Sequence, residues 1–176
     1  MLLIFLASNL LNVAVGVLIG RPTTNQHAVE TAVKYFLYSA TLSAIMLYGM
    51  SWLYGLTGST ELAGIATALK QSEDTLRPVV LPALVFVASG YVFMIGAVPF
   101  HRWAPDVYAD APTSVATFLS VSPAIGGFAL LMRTLLTALP PPPGNLMIDW
   151  QTLLMAIATL TMTVGNLMAL WQQNMK

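Results

Sequence analysis

The chain has 176 residues, of which 57% are hydrophobic and only 8% charged, with a formal net charge of zero and no cysteine. Soluble domains carry roughly 25% charge, so the composition is that of a membrane protein, and singly scattered Lys and Arg leave no basic stripe for nucleic acid. Without cysteine there can be no disulfide, thiolate-ligated iron–sulfur cluster or cysteine nucleophile in this chain. His27 and His101 have no partner at ligand spacing, so no metal or other cofactor is expected.

Five apolar runs, at about 1–20, 33–56, 78–99, 113–139 and 147–171, predict an all-α membrane protein of about five transmembrane helices in a single domain, with irregular Pro/Gly-containing segments. The first run is polar only at Ser8, Asn9 and Asn12, and no basic stretch precedes it as in a secretory leader. Gly16 and Gly20 make a small-xxx-small pair, which suits close helix approach but which common glycine use in membrane helices also explains. The second run has aromatics at both ends, Tyr35, Phe36 and Tyr38 against Tyr48, Trp52 and Tyr54, as interfacial belts do, and an interfacial ring can also pack.

Ser59 or Thr60 is expected to cap a short surface helix reaching Gln71, with Glu61 in its first turn. Lys70, Glu73, Asp74 and Arg77 mark solvent, and Pro78 or Pro82 opens the third run. Pro123 with Gly126-Gly127 predicts a weakened helix within the fourth run, and Pro140 to Pro143 a stiff loop before the fifth. Trp150 and Trp171 are spaced to mark the two interfaces.

Between the third and fourth runs lies Gly96-Ala-Val-Pro99-Phe-His101-Arg-Trp103-Ala-Pro105-Asp106-Val-Tyr108, continuing to Ala111-Pro112-Thr113. It reads as a connector: prolines setting turns, Trp103 and Tyr108 anchoring at the interface, and Asp106 or Asp110 capping the next helix or pairing with Arg102. His101 is a candidate proton shuttle at a channel mouth, and Lys34 a candidate interfacial anchor. Elsewhere an ionisable group inside a span is a functional-site hypothesis by default, yet away from their ends these runs hold none except Arg133, which is close enough to Leu139 to snorkel outward. Asn9, Asn12, Ser89, Ser120, Ser122, Thr159, Thr161, Thr163 and Asn166 offer only hydrogen bonds.

That signature, together with Leu53-Tyr54-Gly55-Leu56-Thr57-Gly58-Ser59, Phe118-Leu119-Ser120-Val121 and Gly165-Asn166-Leu167, resembles subunit N (mitochondrial subunit 2) of the proton-pumping NADH:quinone oxidoreductase, respiratory complex I. The resemblance runs through nearly the whole chain in order. It implies the antiporter-like fold with discontinuous helices, here its central part, the fifth to ninth helices of a longer protein. It also implies other complex I membrane-arm subunits as partners, with a second chain completing the subunit where it is split, and a lipid bilayer, the mitochondrial inner membrane or alternatively a bacterial plasma membrane.

Three proton-handling positions of the family are neutral here. Asn9 stands where the family has glutamate, and Met94 and Ala124 stand where it has lysines. A lone buried charge is costlier than a neutralised set, so losing all three together is what an abandoned relay predicts. The resemblance therefore implies a complex I membrane subunit with a structural role and no redox or catalytic chemistry of its own. The alternatives are a fragment of a split proton-translocating subunit whose missing charges come from another chain, and an unrelated small membrane protein.

Overall fold

The structure, a computed structural model, describes residues 1–21, 26–71, 77–138 and 149–171. The expected proline loop at 140–145, the acids Glu73 and Asp74 and the last residues 172–176 lie outside them. Every regular element among the described residues is helical: α1 (Leu2–Gly20), α2 (Gln26–Thr57), α3 (Leu62–Gln71), α4 (Arg77–Ile95), a 3-10 turn (Phe100–Arg102), α5 (Trp103–Asp110), α6 (Thr113–Ala138) and α7 (Asp149–Trp171). Five stretches among them are long and apolar enough to cross a membrane, with α4 and α5 together forming the third, Val79–Asp110.

α2 has 32 residues, which at ~1.5 Å per residue is ~48 Å, longer than a hydrocarbon core of ~30 Å. It is the spine of the bundle. α1 packs antiparallel against its first half, where Gly20 faces Ala32 and Gly16 faces Tyr35, so the small-residue pair does lie on a helix interface. α4 packs antiparallel along the second half. There Gly49 leaves no room for a side chain: a Cβ would sit 2.7 Å from the Ala83 carbonyl oxygen and 2.9 Å from the Val87 amide nitrogen. Without a hydrophobic driving force between helices in lipid, such close approach is a main source of helix association.

α6 crosses the other side of α4, with Gly127 against Met94 and Ile95 and the Tyr91 and Thr134 hydroxyls 3.1 Å apart. Two apolar clusters result. One joins Met46, Leu53, Val87, Tyr91 and Leu135, and the other joins Val15, Tyr35, Phe93, Trp103, Val107 and Leu119.

Several expectations are corrected. α2 starts at Gln26 rather than near 33, because Ala28 and Thr31 are buried and hold an extra turn and more against the bundle. α3 is present, but Glu61 occupies its capping position and not its first turn: the Glu61 carbonyl accepts from the Ile65 amide, and the Glu61 amide donates back to Ser59 Oγ at 3.2 Å. α6 runs unbroken through Pro123 and Gly126-Gly127, since Pro123 and Gly127 are buried, the glycine against Met94 and Ile95 of α4. The irregular backbone lies instead at residues 96–102.

Candidate functional site

α4 stops at Ile95 because Gly96 takes a positive φ of +74°, open to glycine at no steric cost. The Val98–Pro99 peptide is cis, and Pro99 has no N–H to continue a helix. The chain then makes the 3-10 turn and resumes as α5. The signature is thus a broken transmembrane helix lying along the first part of α2 and not a surface connector.

Backbone groups freed by a break at membrane depth must find partners within protein. Gly96 N–H donates to the Phe93 carbonyl and Ala97 N–H to that of Val92, each at 3.0 Å, and Phe100 N–H donates to that of Ala97 at 2.9 Å. Val98 N–H donates to Thr161 Oγ1 of α7 at 3.2 Å. Trp103 Nε1–H also donates to the Phe93 carbonyl, at 3.1 Å. Trp103 is only 5% exposed, so it is a core residue and not an interfacial anchor. Its ring meets Tyr35 edge-on at 5.3 Å and Phe93 at 5.5 Å, arrangements that aromatic quadrupoles favour. Tyr35, expected in an aromatic belt, donates its buried hydroxyl to Asn12 Oδ1 at 3.2 Å. At the far end of α5, Asp110 accepts from Thr31 Oγ1 at 2.6 Å and so ties α5 to α2; it neither caps α6 nor pairs with Arg102.

His101 sits in the 3-10 turn beneath α7. Its Nε2 lies 2.8 Å from Met168 Sδ, while Nδ1 is buried without a hydrogen-bond partner among the described residues. Thioether sulfur only accepts, so the contact suits the Nε2–H tautomer and leaves Nδ1 as the free acceptor. Lys34 is exposed and pairs with Glu30 at 2.7 Å one turn earlier, a surface pair of small energetic weight.

The three neutral positions do not form one cluster of contacts. Asn9 donates to the Phe5 carbonyl of its own helix at 2.9 Å. Met94 is 5% exposed and packs on Gly127 of α6, one turn beyond Ala124. Of the mid-span polar residues, Asn12 and Thr161 do bond between helices, whereas Asn9, Ser89, Ser120, Thr159 and Thr163 bond back to their own. Arg133 is exposed near the end of α6, placed to reach outward.

Sequence reasoning missed the Asn12–Tyr35 pair and the role of Thr161. The first had a signal: Ser8, Asn12, Val15 and Ile19 recur at helical spacing, which puts both polar residues on the buried stripe. Nothing local distinguishes Thr161 from Thr159 and Thr163.

All 176 residues match the family described as NADH:quinone oxidoreductase/Mrp antiporter, TM. Over its whole length the chain is 43% identical to NADH-quinone oxidoreductase subunit N of Chlorobium chlorochromatii, covering 35% of that protein. It is 42% identical to NAD(P)H-quinone oxidoreductase subunit 2 of Acaryochloris marina, of which it covers 33%. A chain of respiratory complex I from Thermus thermophilus superposes with a TM-score of 0.77 at 33% identity, over 97% of this chain and 34% of that one. The chain therefore spans about a third of the length of the relatives it matches, and the narrower placement at their central, fifth to ninth helices is replaced by that statement.

Proposed function

The chain belongs to the NADH:quinone oxidoreductase/Mrp antiporter transmembrane family, and from that premise we propose that it serves as a membrane-arm component of a proton-pumping NADH:quinone oxidoreductase, a single antiporter-like domain that holds helices together without passing protons itself. One observation carries the reading. Apart from tyrosines, the buried polar side chains among the described residues are Ser8, Asn12, Thr31, Ser39, Ser89 and Thr134, none of which binds and releases protons near neutral pH. Met94 puts apolar atoms against Gly127 in the α4–α6 contact, Ala124 one turn away carries only a methyl, and Asn9 spends its amide on its own helix. Other membrane subunits of the oxidoreductase are the partners on this reading. The bacterial relatives favour a bacterial plasma membrane over the mitochondrial inner membrane.

The second reading, a fragment of a split translocating subunit whose charges or helices come from another chain, draws support from His101. Its unpartnered buried Nδ1 beside a helix break is where a proton-accepting group is useful. The two readings part on a measurement of protons moved per NADH oxidised by the assembled complex in proteoliposomes. With His101→Gln, the structural reading expects an unchanged ratio. A lower ratio with electron transfer intact overturns it in favour of the second.

A further inference from the structure

α7 meets the bundle at two places. Near its start Trp150 and Leu154 pack on the cluster that includes Met46, Tyr91 and Leu135. From its middle onward two polar contacts meet the helix break: Thr161 Oγ1 accepts from Val98 N–H at 3.2 Å, and Met168 Sδ lies 2.8 Å from His101 Nε2. None of the most apolar stretch of α7 is buried, so its second half has little packing to keep it in place. Elements with few buried contacts are the ones that open locally.

His101 is the titratable member of these contacts. With Nε2–H directed at a thioether sulfur, which only accepts, the ring is neutral and Nδ1 carries the lone pair. Nδ1 is buried and has neither a donor nor an acceptor in reach among the described residues. A second ring proton would have nothing there to receive its hydrogen bond, and the added charge would lie at a buried atom with no counter-charge bonded to it. Unmet buried donors that carry charge are the costliest kind. Both neutral tautomers lead to the same cation, so the choice between them does not alter this.

Neighbouring titratable groups do not answer the charge. Arg102, in the same turn, is itself a cation. Tyr91 of α4 is bonded to Thr134, and Asp110 of α5 accepts from Thr31. Asp106 and Tyr108 of α5 make no bond to the ring. Arg77 and Asp149 begin α4 and α7, each at the end of its helix away from the turn, and α7 has no titratable residue between Trp150 and Trp171.

We propose that His101 is a proton-operated latch for α7: with the ring neutral the second half of α7 lies on the break, and protonation of the ring releases it, freeing Val98 N–H from Thr161. A proton shifts a two-state equilibrium only through its different affinity for the two states. Here the docked state offers the second proton no acceptor, whereas the lifted state offers it water. The ring is only half-buried, so lifting α7 wets it without rearranging the core. Imidazole changes charge between about pH 5 and pH 8, and docking therefore weakens as pH falls through that range. The latch acts whether or not protons cross the chain, and so goes beyond both readings of function above.

The chain has no cysteine, so spin labels can be carried on cysteines introduced at Leu167 of α7 and Val17 of α1, both exposed. Pulsed dipolar spectroscopy of the full chain in lipid bicelles is expected to give one distance at about pH 8 and a longer component that grows reversibly toward about pH 5. Over the same range the protection of the Val98 amide against hydrogen exchange, corrected for the intrinsic rate, falls ~10-fold or more relative to that of Ala97, whose amide is bonded to Val92 within the end of α4. The ring nitrogen resonances of His101 titrate with the same midpoint as the distance change, a comparison that needs no variant at the ring. His101→Gln, which takes up no proton in this range, removes the pH dependence. Asp106→Asn and Met168→Leu keep it, since neither alters the place of the second proton. A distance that stays constant with pH, a midpoint that differs between ring and helix, a response that survives His101→Gln, or one lost in Asp106→Asn each overturns the proposal.

Discussion

Replacing Gly49 by alanine tests whether the α2–α4 approach organises this bundle. The added Cβ would lie 2.7 Å from the Ala83 carbonyl oxygen and from Phe86 Cβ, and 2.9 Å from the Val87 amide nitrogen. Two of these are backbone atoms fixed in the hydrogen-bond ladder of α4, so no rotamer change relieves the contact. To restore ordinary separation the helices must part by several tenths of an ångström along an interface that also holds Met46 against Gly90. Overpacking of this kind costs about 1–3 kcal/mol. Gly55, on the exposed side of the same helix with nothing within 4 Å, is the matched control, since Gly→Ala in a helix gains about 0.5–1 kcal/mol from propensity and that gain cancels between the two variants. Denaturing-detergent titration of each chain in lipid bicelles should therefore place Gly49→Ala below Gly55→Ala by about 1–3 kcal/mol, a ~5- to ~150-fold difference in the folding equilibrium. Equal stability of the two would refute the claim that backbone contact at Gly49 sets the helix spacing.

Two further outcomes follow from hydrogen bonds between helices. Tyr35→Phe removes the donor to Asn12 and should cost about 0.5–1.5 kcal/mol, with a double-mutant cycle against Asn12→Ala giving a coupling near the ~0.6 kcal/mol typical of hydrogen bonds between membrane helices; a coupling of zero would deny the pair. Thr161→Val strips the acceptor from Val98 N–H and should cost about 1–3 kcal/mol and speed hydrogen exchange at that amide. Thr159→Val, which loses only a bond to its own helix, should leave both readings of the isolated chain unchanged.

What the residues determined alone was the medium and the number of spans. Long apolar runs interrupted by Pro, Gly and charge must be membrane helices whatever their packing, because hydrocarbon admits no other use for them, and the ordered signature at 96–113 already pointed to the family. The neutrality of Asn9, Met94 and Ala124 was likewise legible, being a matter of residue type. Tertiary structure decided where the backbone breaks. Pro123 and Gly127 look as disruptive in sequence as Gly96 and Pro99, yet α6 stays helical because α4 packs against its glycine, while Gly96 turns with positive φ and Thr161, distant in the chain, takes up the freed amide. It also put Trp103 in the core and gave Tyr35 its buried partners. An aromatic ring with a polar edge suits either place, and only the neighbours that fold beside it, the Phe93 carbonyl and Asn12, settle which one it occupies.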